Sequence, residues 1–309
     1  MGYAARHRAI NVWIMHRERT WVILLTGGGA DPHGSKNERA SNAAGEFSPS
    51  PERRSLFEMT LSRARSIVPL KQIVVIIERA QKQYWNESLT MLPDANVIVQ
   101  PYHRGSATEV LLAVLTILER DPLARIIAMP SHHYVRNETA LAGSLLDAAT
   151  PTAQTRNKLT LIGFKPERAD TESDYIVPGR WFEDGSRSVL RLLKPSGKVR
   201  ARDLAARGAL WDSSIVAARA LVLVAIFRAR APRLVDQMET ALAQGADVRQ
   251  RALTLLHAHL PSIDLSRLLA HGAEAECRLI TARSCGWSIP ASAQGTVGPL
   301  PLRRVAAIA

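Results

Sequence analysis

Strand-like and helix-like segments alternate along residues 20–130, and this alternation is the feature that most restricts the fold. Residues 21–25 and 72–77 are runs of large apolar side chains, typical of strands that lie inside a sheet. Between them, apolar residues recur at helical spacing from residue 56 to residue 67. This unit predicts two parallel strands joined by a right-handed crossover helix.

Two more units of the same kind follow. A helix over 81–91 precedes a strand over 96–100, and a helix that begins at Ser106 precedes a strand over 125–129. Ser106 and Glu109 have the spacing of a capping box, which predicts the start of the second helix. Further along the chain we expect strands over 159–164 and 188–193, a helix over 215–230 and amphipathic helices over 232–271.

This order of elements predicts a three-layer α/β/α nucleotide-binding fold with a mixed, mainly parallel sheet. We place the α/β domain at residues 20–230 and a helical C-terminal portion of the same domain at 231–290. Residues 1–19 are expected to form an N-terminal extension. Residues 291–309 are rich in Gly, Pro and Ala and are expected to form a flexible tail.

Composition and charge exclude several classes of protein. A chain of 309 residues that is 46% hydrophobic and has two cysteines is neither a disulfide scaffold nor a disordered protein. Its longest nearly apolar run, 215–227, is interrupted by Arg219 and is too short to span a bilayer, so we expect a cytoplasmic protein without a membrane partner. The formal net charge of +12 favours an anionic ligand. No nucleic-acid-binding motif accompanies this charge, so a nucleic-acid partner is not expected.

Three loops should meet at the carboxyl edge of the sheet, where ligands bind in open α/β folds. They are residues 27–31, 101–105 and 130–133. The first contains Gly27, Gly28 and Gly29, whose backbone amides could approach a phosphate closely, although a glycine triplet can equally be a simple turn. In the third loop His132 and His133 are adjacent, and adjacent residues of an extended segment point to opposite sides. We therefore expect His132 to bind a metal alone or not at all.

Several segments, taken in order, resemble the mannose-1-phosphate guanylyltransferases, which are sugar-1-phosphate nucleotidyltransferases. The similarity covers roughly residues 20–290. It rests on six stretches that follow each other at similar gaps: WVILLTGGG, NVIVQPYHRGSATEVLLAVLTIL, IIAMPSHHYV, LTLIGFKPERADTESDYIVPG, LLKPSGKVRARDLAARGALWDSSI and CGWSIP.

The resemblance implies transfer of a nucleotidyl group from GTP to mannose 1-phosphate, with release of pyrophosphate and with Mg²⁺ as cofactor. Such a reaction depends on positioning and on neutralisation of phosphate charge. By similarity, Arg104 and Lys194 would be catalytic. The nucleotide would be bound by Gly27, Gly28, Gly29, Gln100 and Pro101, and the sugar phosphate by Trp211 and Asp212.

The chain departs from the family pattern at four charged positions. Pro32 and Gly45 stand where an arginine and a lysine are expected, and His132 and Ile289 stand where two metal-binding aspartates are expected. Imidazole suits zinc or nickel better than Mg²⁺, and isoleucine has no ligand atom. We therefore expect poor retention of Mg²⁺ and impaired activity. The alternative is a catalytically inert family member that binds a nucleotide sugar or a protein partner.

Overall fold

The computed structural model describes residues 18–26, 55–79, 81, 87–171, 173–269 and 272–289. The predicted phosphate loop with Gly27, Gly28 and Gly29 lies outside these ranges, as do Pro32 and Gly45. The predicted tail, 291–309, and most of the predicted N-terminal extension lie outside them as well. Among the helices of the described ranges, none is long and apolar enough to cross a membrane.

Eleven strands and nine α-helices make up the described part of the chain. The strands are β1 (Thr20–Leu25), β2 (Ile73–Glu78), β3 (Val97–Gln100), β4 (Arg125–Pro130), β5 (Tyr134–Val135), β6 (Leu159–Phe164), β7 (Tyr175–Trp181), β8 (Arg187–Leu193), β9 (Leu210–Arg219), β10 (Cys277–Thr281) and β11 (Trp287–Ser288). The helices are α1 (Leu56–Ile67), α2 (Glu87–Thr90), α3 (Ser106–Leu118), α4 (Glu138–Ala149), α5 (Lys198–Ala206), α6 (Ala220–Arg230), α7 (Pro232–Leu242), α8 (Ala246–His259) and α9 (Leu265–Leu269).

Nine of these strands form one mixed sheet in the order β3-β2-β1-β4-β9-β6-β10-β8-β7. Pairing is parallel among β1, β2, β3 and β4 and between β6 and β10. It is antiparallel wherever β8 or β9 takes part. Since β7 also pairs with β9, the strands β9, β6, β10, β8 and β7 close into a ring at one end of the sheet.

The residues of β1 show why helices cover both faces of this sheet. All six are buried, and alternate side chains enter two different cores, because successive residues of a strand point to opposite faces. Trp21, Ile23 and Leu25 pack with the apolar residues of α3, α6, α7, α8 and α9. Val22 and Leu24 pack with those of α1, α4 and α5. The expected three-layer α/β/α fold is therefore confirmed.

Two predicted elements differ from the structure. The expected helix over 215–230 is wrong in its first five residues, which continue β9 and pair with β4, for example Val216 with Ala128. Because these residues lie between two neighbouring strands, pairing with those strands outweighs the helical spacing of the apolar run. The portion 231–290, expected to be helical, is helical only as far as Leu269. After it the chain returns to the sheet as β10, which lies between β6 and β8.

A buried arginine ties the returning strand to its neighbours. Arg278 of β10 is 2% exposed. Its guanidinium donates to Thr160 Oγ1 and to Asp184 Oδ2, each at 2.7 Å, and to the carbonyl oxygen of Ala148 at 3.0 Å. The side chain therefore joins β6, the turn between β7 and β8, and the end of α4. Removing one partner of such a buried ion pair destabilises the folded state, because the other charge is then left buried and unpaired.

We expect Arg278→Ala to lower the free energy of unfolding by about 3 kcal/mol, measured by urea denaturation. Arg283→Ala is the matched control, since Arg283 also pairs with an aspartate, Asp147, at 2.8 Å, but in a pair whose side chains are 59% and 55% exposed. Its loss should cost less than about 1 kcal/mol. Equal losses in the two variants would contradict the view that burial sets the contribution of Arg278.

Candidate functional site

Four segments that are distant in the sequence meet at the carboxyl edge of β6. Phe164 ends this strand and pairs with Trp211 of β9, and Trp211 also pairs with Tyr175, where β7 begins. Beside them, the turn that follows β4 leads into β5, and β5 pairs with β11, so that Val135 lies opposite Trp287. The sheet thus brings together four of the six segments that carry the family resemblance.

Five aromatic rings lie in contact at this edge, and we call them the ring cluster: Phe164, Trp211, Trp287, His132 and His133. The rings of Phe164 and Trp287 are stacked, with centroids 4.6 Å apart and planes 5° from parallel. The ring of Trp287 also meets that of His133 edge to face, with centroids 5.2 Å apart. The ring of Trp211 is tilted by 47° to that of Trp287, with centroids 6.2 Å apart. Stacked and edge-to-face contacts of this kind fix the rings relative to one another.

Four nitrogen atoms of the ring cluster are buried without a hydrogen-bond partner among the described residues. They are Nδ1 of both histidines and Nε1 of both tryptophans. A buried polar group without a partner costs about 1–3 kcal/mol, so a native protein rarely gathers four of them. The indole N–H can only donate, so a ligand that satisfies it must offer an acceptor oxygen.

Both histidines of the cluster are uncharged at neutral pH. Burial lowers the pKa of His132 to about 4. Burial, together with the nearby His132 and Arg63, holds the pKa of His133 well below its usual value. The expectation that the two rings point to opposite sides is wrong, because their centroids are 4.8 Å apart. Residues 131–132 form a turn, in which the alternation of an extended strand does not hold.

The described residues do not fit the Mg²⁺ that the family resemblance implies. In the described part of the chain, no three His, Cys, Asp or Glu side chains converge on a point where a metal could bind. His132 offers a neutral imidazole rather than the oxygen ligands that Mg²⁺ prefers, and Ile289 is a hydrocarbon side chain that is 46% exposed. Binding of a softer metal by His132 stays a prediction.

A buried polar group anchors the predicted nucleotide-binding residues Gln100 and Pro101 at the end of β3. Gln100 donates from Nε2 to Glu109, which is 1% exposed, and His103 Nδ1 lies 2.9 Å from the same carboxylate oxygen. The expected capping box is therefore wrong: Gly105 is the N-cap of α3, and Glu109 binds side chains instead of the backbone. Gln100 Oε1 is buried and has no partner among the described residues.

Arg104, predicted as catalytic, contacts the end of helix α8. Its guanidinium donates to the carbonyl oxygens of His257 and Ala258, the latter at 3.1 Å. An arginine commonly satisfies the last carbonyls of a helix in this way. The side chain therefore fixes the loop between β3 and α3 to the C-terminal helices, and its catalytic role stays a prediction.

Asp212, predicted to face the sugar phosphate, is held by two donors. Its Oδ1 accepts from the backbone N–H of Ser214 at 2.9 Å, and its Oδ2 accepts from the hydroxyl of Ser266 at 2.9 Å. Burial raises the pKa of Asp212 to about 6, with these two hydrogen bonds lowering it and the charge of Asp174 raising it further. Burial raises the pKa of Asp174, and the nearby charge of Lys194, which was predicted as catalytic, opposes this rise. Lys194 and Asp212 therefore share one neighbourhood.

Some residues of the site carried no recognisable signal in the sequence. Ser266 reaches it only through a tertiary contact, and nothing in its spacing points to it. Phe164 and Trp287 lie inside the family-like segments, and Trp287 is the tryptophan of the CGWSIP stretch, yet neither was predicted as a site residue. The burial of Glu109 had one signal: it is an acidic residue on the otherwise apolar start of α3.

We expect the burial of Asp212 to make stability depend on pH. A carboxyl whose pKa rises from 3.8 to about 6 on folding stabilises the protonated native state, so stability falls as pH rises through this window. Between pH 4 and pH 7.5, Asp212→Asn should gain up to about 3 kcal/mol in unfolding free energy relative to the wild type, as measured by urea denaturation. A gap that does not change with pH would contradict this prediction.

Comparison with known proteins finds relatives of low sequence identity. No protein-family model matches the chain. A protein provisionally named mannose-1-phosphate guanylyltransferase, from Vibrio cholerae, is 22% identical over 190 residues, which are 61% of this chain and 40% of that protein. The xanthan biosynthesis protein XanB of Xanthomonas campestris is 26% identical over 205 residues, 65% of this chain and 42% of that protein. The chain thus spans about two fifths of the length of these curated relatives.

Solved structures agree on the fold. A protein of Thermus thermophilus, described as a mannose-1-phosphate geranyltransferase, superposes with a TM-score of 0.71 at 21% identity, over 87% of this chain and 76% of that one. A Helicobacter pylori protein, described as a mannose-6-phosphate isomerase, gives 0.66 at 17% identity, over 87% and 99%. These two likenesses show the fold that the chain shares with both proteins. In sequence, the chain is similar to proteins of a sugar-1-phosphate nucleotidyltransferase-like family.

Proposed function

We propose that the carboxyl-edge site binds GTP and mannose 1-phosphate and performs a slow transfer like that of a mannose-1-phosphate guanylyltransferase. The product would be GDP-mannose, with pyrophosphate released. The observation that supports this most is the convergence of separate family-like segments on the ring cluster. Chance resemblances scattered along a chain have no reason to meet at one edge of a sheet.

The residues of the site suit the two parts of such a ligand. The unpartnered indole nitrogens of Trp211 and Trp287 are donors and need the acceptor oxygens that a sugar or phosphate supplies. Lys194 brings a positive charge to Asp174, which neighbours Asp212, where the sugar phosphate is expected. Gln100 and Pro101 are both buried at the end of β3, the edge where nucleotides bind in doubly wound folds. These proposed roles involve residues of the chain and not Mg²⁺.

A second candidate function is binding of a nucleotide sugar without turnover. It is favoured by the neutral His132 and the exposed hydrocarbon of Ile289 at the two positions where metal-binding carboxylates were expected. Loss of one charged group that stabilises a transition state commonly lowers the rate by about 100- to 1000-fold. The geometry of the ring cluster would remain intact in such a protein, so binding can persist after transfer has been lost.

The two candidates are separated by measuring binding and turnover on the same protein. We expect calorimetry to detect GTP and GDP-mannose, and we expect slow pyrophosphate release from GTP and mannose 1-phosphate in the presence of Mg²⁺ or Mn²⁺. Arg104→Ala should abolish this release. Because Arg104 also holds α8, its thermal unfolding must be compared with that of the wild type. Binding without any release would favour the second candidate, and absence of both would refute the proposed site.

Restoring the expected carboxylates gives a sharper test. The double substitution His132→Asp with Ile289→Asp should raise Mg²⁺-dependent pyrophosphate release by on the order of 100-fold, because two oxygen ligands for the metal are added. Leu190→Asp is the control, since it adds a carboxylate at another exposed apolar position, on β8. A rise of equal size in the control would show that added negative charge, rather than the position of the carboxylates, changes the rate.

A further inference from the structure

The segment between α8 and α9 is fixed to the loop before α3 by backbone contacts. Ile263 N–H donates to the carbonyl oxygen of Arg104 at 3.0 Å, and Ala107 N–H donates to the carbonyl oxygen of Ile263 at 3.0 Å. Leu265 N–H donates to the hydroxyl of Ser106 at 2.9 Å. Gly105 permits this approach, because a Cβ at that position would lie 2.2 Å from the oxygen of Ile263. The start of α9 is therefore held in a fixed place beside the site.

This docking brings Ser266 of α9 to Asp212 of β9, 54 residues away in the sequence. Ser266 donates its hydroxyl hydrogen to Oδ2, while Ser214 fixes Oδ1. Ser214 has φ of 55°, and it is the only residue other than glycine in the described ranges with a positive φ. A non-glycine residue in this conformation is held there by its surroundings and is often found at functional sites. The carboxylate is thus held from both sides, each oxygen using one of its acceptor positions.

The charges around Asp212 restrict what it can bind. The backbone N–H of Asp212 donates to the carbonyl oxygen of Asp174, whose own carboxyl interacts with Lys194, Asp264 and Arg267. Asp174 precedes β7, Lys194 follows β8, Asp264 precedes α9 and Arg267 lies in α9. An ionised carboxylate accepts hydrogen bonds and cannot donate them, so the ligand group that meets Asp212 must be a donor. In a sugar phosphate, the available donors are the hydroxyl groups of the ring.

We propose that Ser266 is a positioning residue that orients the Asp212 carboxylate to accept hydrogen bonds from sugar hydroxyl groups. This inference rests on the proposed function, because it takes the ligand of the site to be a sugar nucleotide. It assigns the C-terminal helices a part in sugar recognition, through a single hydrogen bond. The nucleotide part of the ligand does not depend on this bond.

The test compares GDP-mannose with GTP, because only the first carries the sugar. By calorimetry, Ser266→Ala should weaken binding of GDP-mannose about tenfold and change that of GTP by less than about twofold. Ser266→Thr keeps a hydroxyl and should restore binding. Ser186→Ala is the matched control, since Ser186 also donates its hydroxyl to a carboxylate, that of Asp184, at the turn between β7 and β8.

The pH dependence tests whether the Asp212 carboxylate takes part in binding the sugar. Affinity of the wild type for GDP-mannose should fall as pH drops through about 6, where Asp212 takes up a proton and loses acceptor capacity. The variant Asp212→Asn leaves the charged neighbours Asp174, Asp264, Lys194 and Arg267 unchanged, so it isolates the contribution of Asp212. Its affinity for GDP-mannose should not fall in this way.

Each outcome decides between the hypotheses. Equal weakening of both ligands by Ser266→Ala, no weakening, or failure of Ser266→Thr to restore binding would overturn the positioning role while leaving the proposed function intact. Loss of sugar binding in Ser186→Ala as well would also overturn it, because the effect would not be specific to Asp212. A wild-type protein that binds neither GTP nor GDP-mannose would instead overturn the proposed function, and this inference with it.

Discussion

The pairing of β9 with three other strands is the constraint on which the rest of the structure depends. Both ends of β9 pair with β6, while its last residues also pair with β4 and its first residues with β7. This placement joins the parallel half of the sheet to the ring of strands. It also brings Trp211 and Asp212 to the carboxyl edge. β5 and β11 make a second link between the early and late segments of this edge.

The site combines well-packed rings with polar groups that destabilise the free protein. Four ring nitrogens lack partners among the described residues, and burial raises the pKa of Asp212 to about 6. Each of these features makes the folded state less stable than a purely apolar core would be. The buried bonds of Arg278 and the two apolar cores stabilise the scaffold around them. Such a division between a stable scaffold and a strained edge is typical of binding sites.

Much of the fold was predictable because local pattern and final environment agree. The helix over 56–67 and the strand over 159–164 have the bounds that were expected, since their apolar spacing matches the faces they bury. The helix over 215–230 failed because its first residues read as an apolar helix but lie between two strands. Ser106 and Glu109 failed as a cap because each found a tertiary partner, Leu265 and Gln100 respectively.

The family resemblance indicated that carboxylates are missing at positions 132 and 289, whereas local chemistry in the chain was enough to indicate an α/β sheet and a ligand edge. These follow from residue types and spacing, which need no knowledge of distant neighbours. The stacking of Trp287 on Phe164, the contact between His132 and His133, and the bond from Ser266 to Asp212 were fixed only when the chain folded. Each joins side chains whose proximity or orientation depends on sheet register, turn geometry or helix docking, and spacing along a sequence does not encode these.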